Sequence, residues 1–302
     1  MGSNEKKMRN VERLGDKYLE DLENRWCRKK LESNWWTALE FFFNHSFMRG
    51  RRDKLSGEYC SFTIECLKHY FSIDAESPDE AYERLREKQE HFDKEIILEF
   101  KKKNGRKSVS KNRDFVKEME TKHRIIFHLV TEREVEVTWG SEEEKEEYTK
   151  SIYLGNDADV MMVLDVLKFI SDDDKRNVYN YLKCALKTKG VKVVYEELQG
   201  LRSIGPKIAA FIIRDVGLMN SEIVKEEDYK MAFPVDTWVV QVAPKLGLNS
   251  KDAGEIIGRC KELDINPLKF AAGLWHLGAH SLDILLEHLG EINIKVEVNT
   301  RN

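Results

Sequence analysis

Apolar residues recur at three- and four-residue spacing along most of this chain, the period of an amphipathic helix. Such runs occupy Val11 to Leu31 and Trp35 to Phe47, and continue through Phe62, Ile64, Leu67, Tyr70 and Phe71. Ser77-Pro78-Asp79-Glu80 reads as a helix start, with serine as the cap and proline in the first turn. From Lys88 to Tyr153 the chain turns polar, and helical periodicity is weak between Arg124 and Trp139. Within that block Arg133 to Trp139 alternates like a strand, and Ile292 to Val298 does the same, so a small β pairing of the two is expected. The acidic cluster Glu142, Glu143, Glu144, Glu146 and Glu147 reads as exposed helix or loop. Apolar density returns at Asp159, where Val160, Val163, Leu164, Leu167 and Ile170 describe a buried face. Asp172-Asp173-Asp174 then starts a helix through Val178, Tyr181, Leu182 and Leu186 that ends at Gly190. The pattern predicts a mostly-α fold.

Composition narrows the class without naming a function. The chain's 302 residues suffice for one large domain or two modest ones, and 34% of them are charged. No apolar run reaches the length of a membrane span, so a soluble, cytoplasmic protein is expected. The five cysteines (Cys27, Cys60, Cys66, Cys184 and Cys260) are scattered and form no C-x-x-C pair, which points to buried thiols rather than zinc or a disulfide framework. A net charge of −4 weighs against coating nucleic acid, yet local basic surfaces remain. One comprises Arg49, Arg51, Arg52 and Lys54; the other, Lys101 to Arg124, is as readily a solvated helix face.

The segment with chemical content runs from Val194 to Phe211. A short amphipathic helix enters the turn Leu201-Arg202-Ser203-Ile204-Gly205, and a second helix leaves from Pro206-Lys207. Ile204 suits a plug between the two helices, Pro206 suits a first helical turn, and small Ala209 and Ala210 permit close packing. Such a turn directs backbone N–H groups outward at a helix N-terminus, a seat for a phosphate. Alone, it is as readily an ordinary helix corner. Further on, Phe233-Pro234-Val235-Asp236-Thr237-Trp238 places Asp236 where a helix begins, and an N-cap is its simplest role.

Together the two segments resemble the helix-hairpin-helix DNA glycosylase superfamily, which includes endonuclease III and the 8-oxoguanine glycosylases. Leu201, Ser203, Ile204, Gly205 and Lys207 match its hairpin, and Val235, Asp236 and Thr237 match its aspartate segment. The resemblance covers about half the chain, mostly Asp172 to Leu248. Asn44-His45-Ser46 stands where many members carry glutamines that enter the duplex. Ser203 replaces the usual first glycine, a mild change if its φ is negative. Asn220 to Met231 reads as an inserted loop or helix. The four-cysteine iron–sulfur motif is missing, which points to the cluster-free, 8-oxoguanine-like branch.

The resemblance implies two helical subdomains with an active-site cleft between them, the chain ends meeting in one. It divides the chain into N-terminal helices (1–87), a polar insertion (88–158), the catalytic core (159–248) and C-terminal helices (249–302). It implies a base-excision-repair enzyme that flips out a damaged base, oxidised purine first, and removes it. Lys207 falls on the family's nucleophile and Asp236 on its catalytic carboxylate. The attacking amine must be neutral, a state that partial burial or a neighbouring cation favours, and its Schiff base leads to β-elimination. Ser203, Gly205, Arg202, His45, Arg49 and Arg51 are the candidate DNA contacts, and Phe47, Trp275 and His276 the candidate base pocket. Phe47 and Trp275 are as readily core. The expected partner is double-stranded DNA holding a damaged base or abasic site, bound by a monomer without membrane association. No cofactor is required, no iron–sulfur cluster is expected, and a monovalent cation at the hairpin is compatible with the family. The alternatives are a non-catalytic or monofunctional hairpin DNA-binding protein, and a helical scaffold that docks another protein.

Overall fold

The computed structural model describes residues 3–48, 53–73, 77–139, 146–221, 223–249 and 252–280. Among them are sixteen α-helices and one two-stranded sheet, so the chain is mostly α. It divides into two units, Glu23–Pro234 and a smaller one made of Met1–Leu22 with Val235–Asn302. Among the described residues no helix is long and apolar enough to cross a membrane.

The larger unit is organised on the helix Trp35–Ser46, ten of whose residues are buried. Asn34 caps it, its side chain accepting from the backbone N–H of Trp36 at 2.9 Å and of Thr37 at 3.3 Å. Helices Arg28–Ser33, Asp53–Phe71, Val178–Thr188 and Pro206–Met219 pack on it. Phe41 at its centre meets Trp26 and Tyr179 edge-on, each at 5.7 Å. Each fully buried aromatic or aliphatic side chain here contributes about 1.5–3 kcal/mol of burial free energy. The helix Asp157–Ile170 is buried on nearly every side, so its apolar residues form no single stripe. Ser77 opens the helix Pro78–Glu87 with a full capping box to Glu80, as its sequence predicts.

The structure revises several expectations for the middle of the chain. The polar block lies within this unit and contributes buried apolar residues, with Phe92, Ile97, Phe100, Val109, Phe115 and Met119 spaced widely among its charges. The weakly periodic stretch contains the helix Arg124–Val130. The strand Arg133–Trp139 pairs antiparallel with Glu146–Ile152, in register from Arg133 opposite Ile152 to Trp139 opposite Glu146. Glu146 and Glu147 are therefore strand residues. A partner a few residues away costs little loop-closure entropy, which favours this hairpin. Ile292 to Val298 and Glu142 to Glu144 lie outside the described residues. No helix starts at Asp172 to Asp174: Asp172 precedes the single-turn 3₁₀ segment Asp173–Lys175, and Asn177 is the cap of Val178–Thr188.

The amino-terminal helix Ser3–Arg25, whose residues up to Leu22 belong to the smaller unit, crosses the helix Pro267–Ala279 at a contact of two glycines. A Cβ on Gly273 would stand 1.8 Å from the Val11 carbonyl oxygen, and one on Gly15 would stand 2.0 Å from that of Lys269. Polar contacts flank the crossing. Glu12 accepts from the Asn266 N–H at 2.7 Å, and Lys269 pairs with Asp16 at 2.6 Å. Helices Thr237–Val242 and Ala253–Glu262 complete the unit's core with Val239, Ile256, Ile257 and Leu274.

Candidate active site

Helix Val191–Gly200, the turn at 201–205 and helix Pro206–Met219 form the helix–turn–helix that the sequence predicts. Ile204, 2% exposed, is the buried plug, and Pro206 occupies the first turn of the second helix. Two bonds fix the turn to Asp157–Ile170. The Arg202 backbone N–H donates to Asp165 Oδ2 at 2.8 Å, and Ser203 Oγ donates to the Ala158 carbonyl at 3.2 Å. Lys94 approaches the same Asp165 oxygen at 2.5 Å, so the buried carboxylate is charge-compensated. Gly205 is the N-cap residue and offers no capping side chain to the first-turn N–H groups of the second helix.

The turn's backbone corrects one expectation. Ser203 has φ +64°, so the left-handed residue of this hairpin is the serine, and its hydroxyl bond to Ala158 helps hold it there. Gly205 is extended, at φ −85° and ψ −177°, with nothing within 4 Å of an added Cβ. The conformational demand for glycine lies at position 203.

Lys207 is the second residue of helix Pro206–Met219 and is half-buried, in the larger unit. Asp236 belongs to the smaller unit and is buried, 8% exposed. It caps Thr237–Val242, with Oδ1 accepting from the Val239 N–H at 2.9 Å. Within Asn220 to Met231 the described residues form a turn, the 3₁₀ segment Glu226–Asp228 and the start of the short helix Tyr229–Ala232.

The remaining candidates divide. Arg202 is exposed. Arg49 and Arg51 lie outside the described residues. His45 is corrected: it is 2% exposed, and its ring faces the Phe41 carbonyl from Nδ1 and Asp215 Oδ2 from Nε2, both at 2.8 Å. With both nitrogens engaged in the core, it has no group left for DNA. Phe47 takes the core alternative, being fully buried beside Phe43. Trp275 and His276 belong to the smaller unit. Trp275 is half-buried, edge-on to Tyr18 at 5.4 Å. His276 is buried, 3.9 Å from Asp21; burial, helped by nearby His280, holds its pKa below the usual histidine value.

No family model matches the chain, nor does any curated protein or solved structure. Its own residues therefore carry the functional reading. Among the described residues, no group of three or more His, Cys, Asp or Glu side chains is arranged to hold a metal ion. Cys66 and Cys260 are buried, which pushes their thiols up to about 12, whereas Cys27 and Cys184 are exposed. Sequence reasoning overlooked the partner of His45. Arg214 and Asp215 are both fully buried and paired at 2.7 Å. Burial alone would raise the Asp215 carboxyl, but Arg214 and His45 outweigh it and hold it at about 2. The charged pair inside the apolar run Ile212-Ile213-Arg214-Asp215-Val216 was the available signal, because such charges are buried only when compensated.

Proposed function

We propose that this protein is a base-excision DNA glycosylase with abasic-site lyase activity, in which Lys207 is the nucleophile and Asp236 the supporting carboxylate. The observation that carries this reading is the hairpin. A rigidly anchored turn presents an uncapped helix N-terminus, and the matched lysine stands in its first turn, half-buried. The N-terminus attracts a backbone phosphate through its N–H groups and dipole. That contact fixes the strand while the damaged base, an oxidised purine by preference, leaves the stack. The neutral Lys207 amine attacks C1′ of the sugar, the glycosidic bond breaks, and the base departs with its electron pair and takes up a proton. The Asp236 carboxylate stabilises positive charge developing on the sugar. Ring opening gives a Schiff base, loss of the C2′ proton eliminates the 3′ phosphate, and water then releases Lys207. The protein acts in the compartment that holds DNA and needs no cofactor for these steps.

A second reading has its own support. Asp236 is an N-cap, a sufficient reason for an aspartate at this position, and a hairpin that only binds DNA would keep it. Borohydride trapping separates the two. A duplex containing one abasic site, mixed with the protein and reduced, is expected to yield a covalent protein–DNA band that Lys207→Gln abolishes. Absence of the band from wild-type protein that still binds the duplex would leave the binding module.

A further inference from the structure

A second cluster of chemistry lies in the larger unit, around Tyr70. It draws on the helix Asp53–Phe71, the 3₁₀ segment Gln89–Phe92 with the residue before it, the helix Arg124–Val130 and the strand that begins at Arg133. The Lys88 ammonium stands 4.3 Å from the Tyr70 ring centre, and the Tyr70 hydroxyl lies 3.2 Å from His91 Nδ1. His128 meets the Tyr70 ring at 6.0 Å and the His69 ring at 5.5 Å. The Arg133 guanidinium donates to His128 Nδ1. His123, whose Nδ1 is buried without a hydrogen-bond partner among the described residues, lies 5.9 Å from His91, and Arg124 follows it.

Elsewhere in this unit cations meet carboxylates, as Lys94 meets Asp165 and Lys101 meets Asp157. Here cations meet one another. The largest electrostatic influences on His128 come from Arg133, His69, Arg124 and Lys88, all of them cationic or protonatable. Glu87 and Arg84 act on Lys88, Glu90 lies 3.4 Å from His91, and Asp93 and Glu118 act on His123. Among the described residues, Lys88, Arg124 and Arg133 have no carboxylate within ion-pair distance. Converging like charges from four segments raises the free energy of the fold unless an anion offsets it.

We infer that Lys88, Arg124, Arg133 and the histidines around Tyr70 form a binding site for a phosphoryl polyanion. Two guanidinium groups, one ammonium and rings able to gain protons match a multiply charged phosphate better than a single carboxylate. The free site keeps the His128 ring neutral at pH 7. Burial, aided by the surrounding cations, lowers His128 to about 4, and burial with Arg84 and Arg124 lowers Lys88. A bound anion opposes both shifts, so binding favours protonation of His128 and tightens as pH falls below neutrality. The site does not rest on excision chemistry. It would serve a nucleic-acid backbone or a small phosphorylated molecule equally, and the probes below tell these apart.

The test is calorimetric titration with inorganic pyrophosphate, and with sulfate, whose own charge is constant between pH 6 and 8. Arg124 is exposed and Lys88 half-buried, so a Lys88→Gln, Arg124→Gln double variant is chosen to keep the fold, with circular dichroism melting as the check. The single Arg124→Gln variant stands in if the double variant melts early. Pyrophosphate affinity should fall roughly tenfold for each charged contact removed, and Lys102→Gln, Lys103→Gln on the exposed end of Glu95–Asn104 should leave it unchanged. Sulfate affinity should rise from pH 8 to pH 6, and the His128 ring should titrate higher by NMR when ligand is present. With an undamaged DNA duplex, loss of about one unit of log–log salt slope per cation removed would identify the backbone as the source. Weaker pyrophosphate binding with an unchanged duplex slope would identify a small phosphorylated molecule. Equal pyrophosphate affinity in the wild type and a folded variant, or no binding to the wild type, overturns the site. A protein that binds pyrophosphate here but traps no adduct at Lys207 would lose only the excision reading.

Discussion

A side chain in the left-handed region costs about 1–2 kcal/mol, because its Cβ crowds the following carbonyl oxygen. Ser203 bears that cost and recovers part of it through its hydroxyl bond to Ala158. Ser203→Ala loses the bond and keeps the strain, whereas Ser203→Gly loses the bond and relieves it. Urea unfolding should therefore find the glycine variant more stable than the alanine variant by about 1 kcal/mol. Asp236 yields to a similar comparison. Asparagine caps a helix as well as aspartate does, so Asp236→Asn should unfold within about 0.5 kcal/mol of the wild type, while Asp236→Ala loses roughly 1 kcal/mol. If the carboxylate supports base release, Asp236→Asn should nonetheless slow single-turnover excision by at least about a hundredfold. Unchanged excision would reduce Asp236 to a cap. The sequence makes such local roles legible: a cap, a proline in a first turn and a buried plug depend on neighbours a few residues away. His45 was not legible in this way, because the group that claims it, Asp215, lies 170 positions along the chain. The sign of φ at Ser203 was equally hidden, since the turn's anchor is Asp157–Ile170, remote in sequence.

Among the elements, the crossing of the amino-terminal helix and Pro267–Ala279 has the least room. Both nearest atoms at Gly273 and Gly15 are backbone carbonyl oxygens, which cannot rotate away as a side chain would. Gly273→Ala should destabilise the smaller unit by about 1–3 kcal/mol, because overpacking outweighs the gain in helix propensity. Gly258→Ala, in Ala253–Glu262 with open space around an added Cβ, should instead stabilise by up to about 1 kcal/mol. Thermal melts of the two variants should move in opposite directions, and a neutral Gly273→Ala would argue that the helices pass with slack. At this scale the sequence conveys much of the fold: the periodic runs became helices, and the stretch around Pro206 became a helix–turn–helix. It conveys less where few apolar residues are spread among many charges. There the helix Arg124–Val130 and the strand Glu146–Ile152 are specified by packing and pairing rather than by period.

For the whole molecule, His128 and Asp215 are the most strongly shifted of the buried groups that shape the response to acid. His128 is lowered from the usual 6.5 to about 4 in the folded chain, so below pH 6.5 the unfolded chain takes up a proton that the folded one refuses. Its contribution is intact above that pH and is lost as pH falls toward 4. Asp215, lowered from 3.8 to about 2, contributes fully above pH 4 and loses that contribution as pH falls through 2. Urea midpoints should thus decline in two successive windows, and His128→Gln should flatten the upper one; an unaltered upper slope in that variant would assign it to other groups. The glycine crossing also bears on how the chain matures. The backbone that Val11 and Gly15 nest against, Lys269 and Gly273, emerges some 250 residues after them, on the order of tens of seconds at ordinary rates of synthesis. The larger unit's sequence is complete well before then. The helix that carries Val11 and Gly15 must therefore wait, as an amphipathic segment with no partner from its own unit, and over that interval its apolar face is open to proteases and to aggregation.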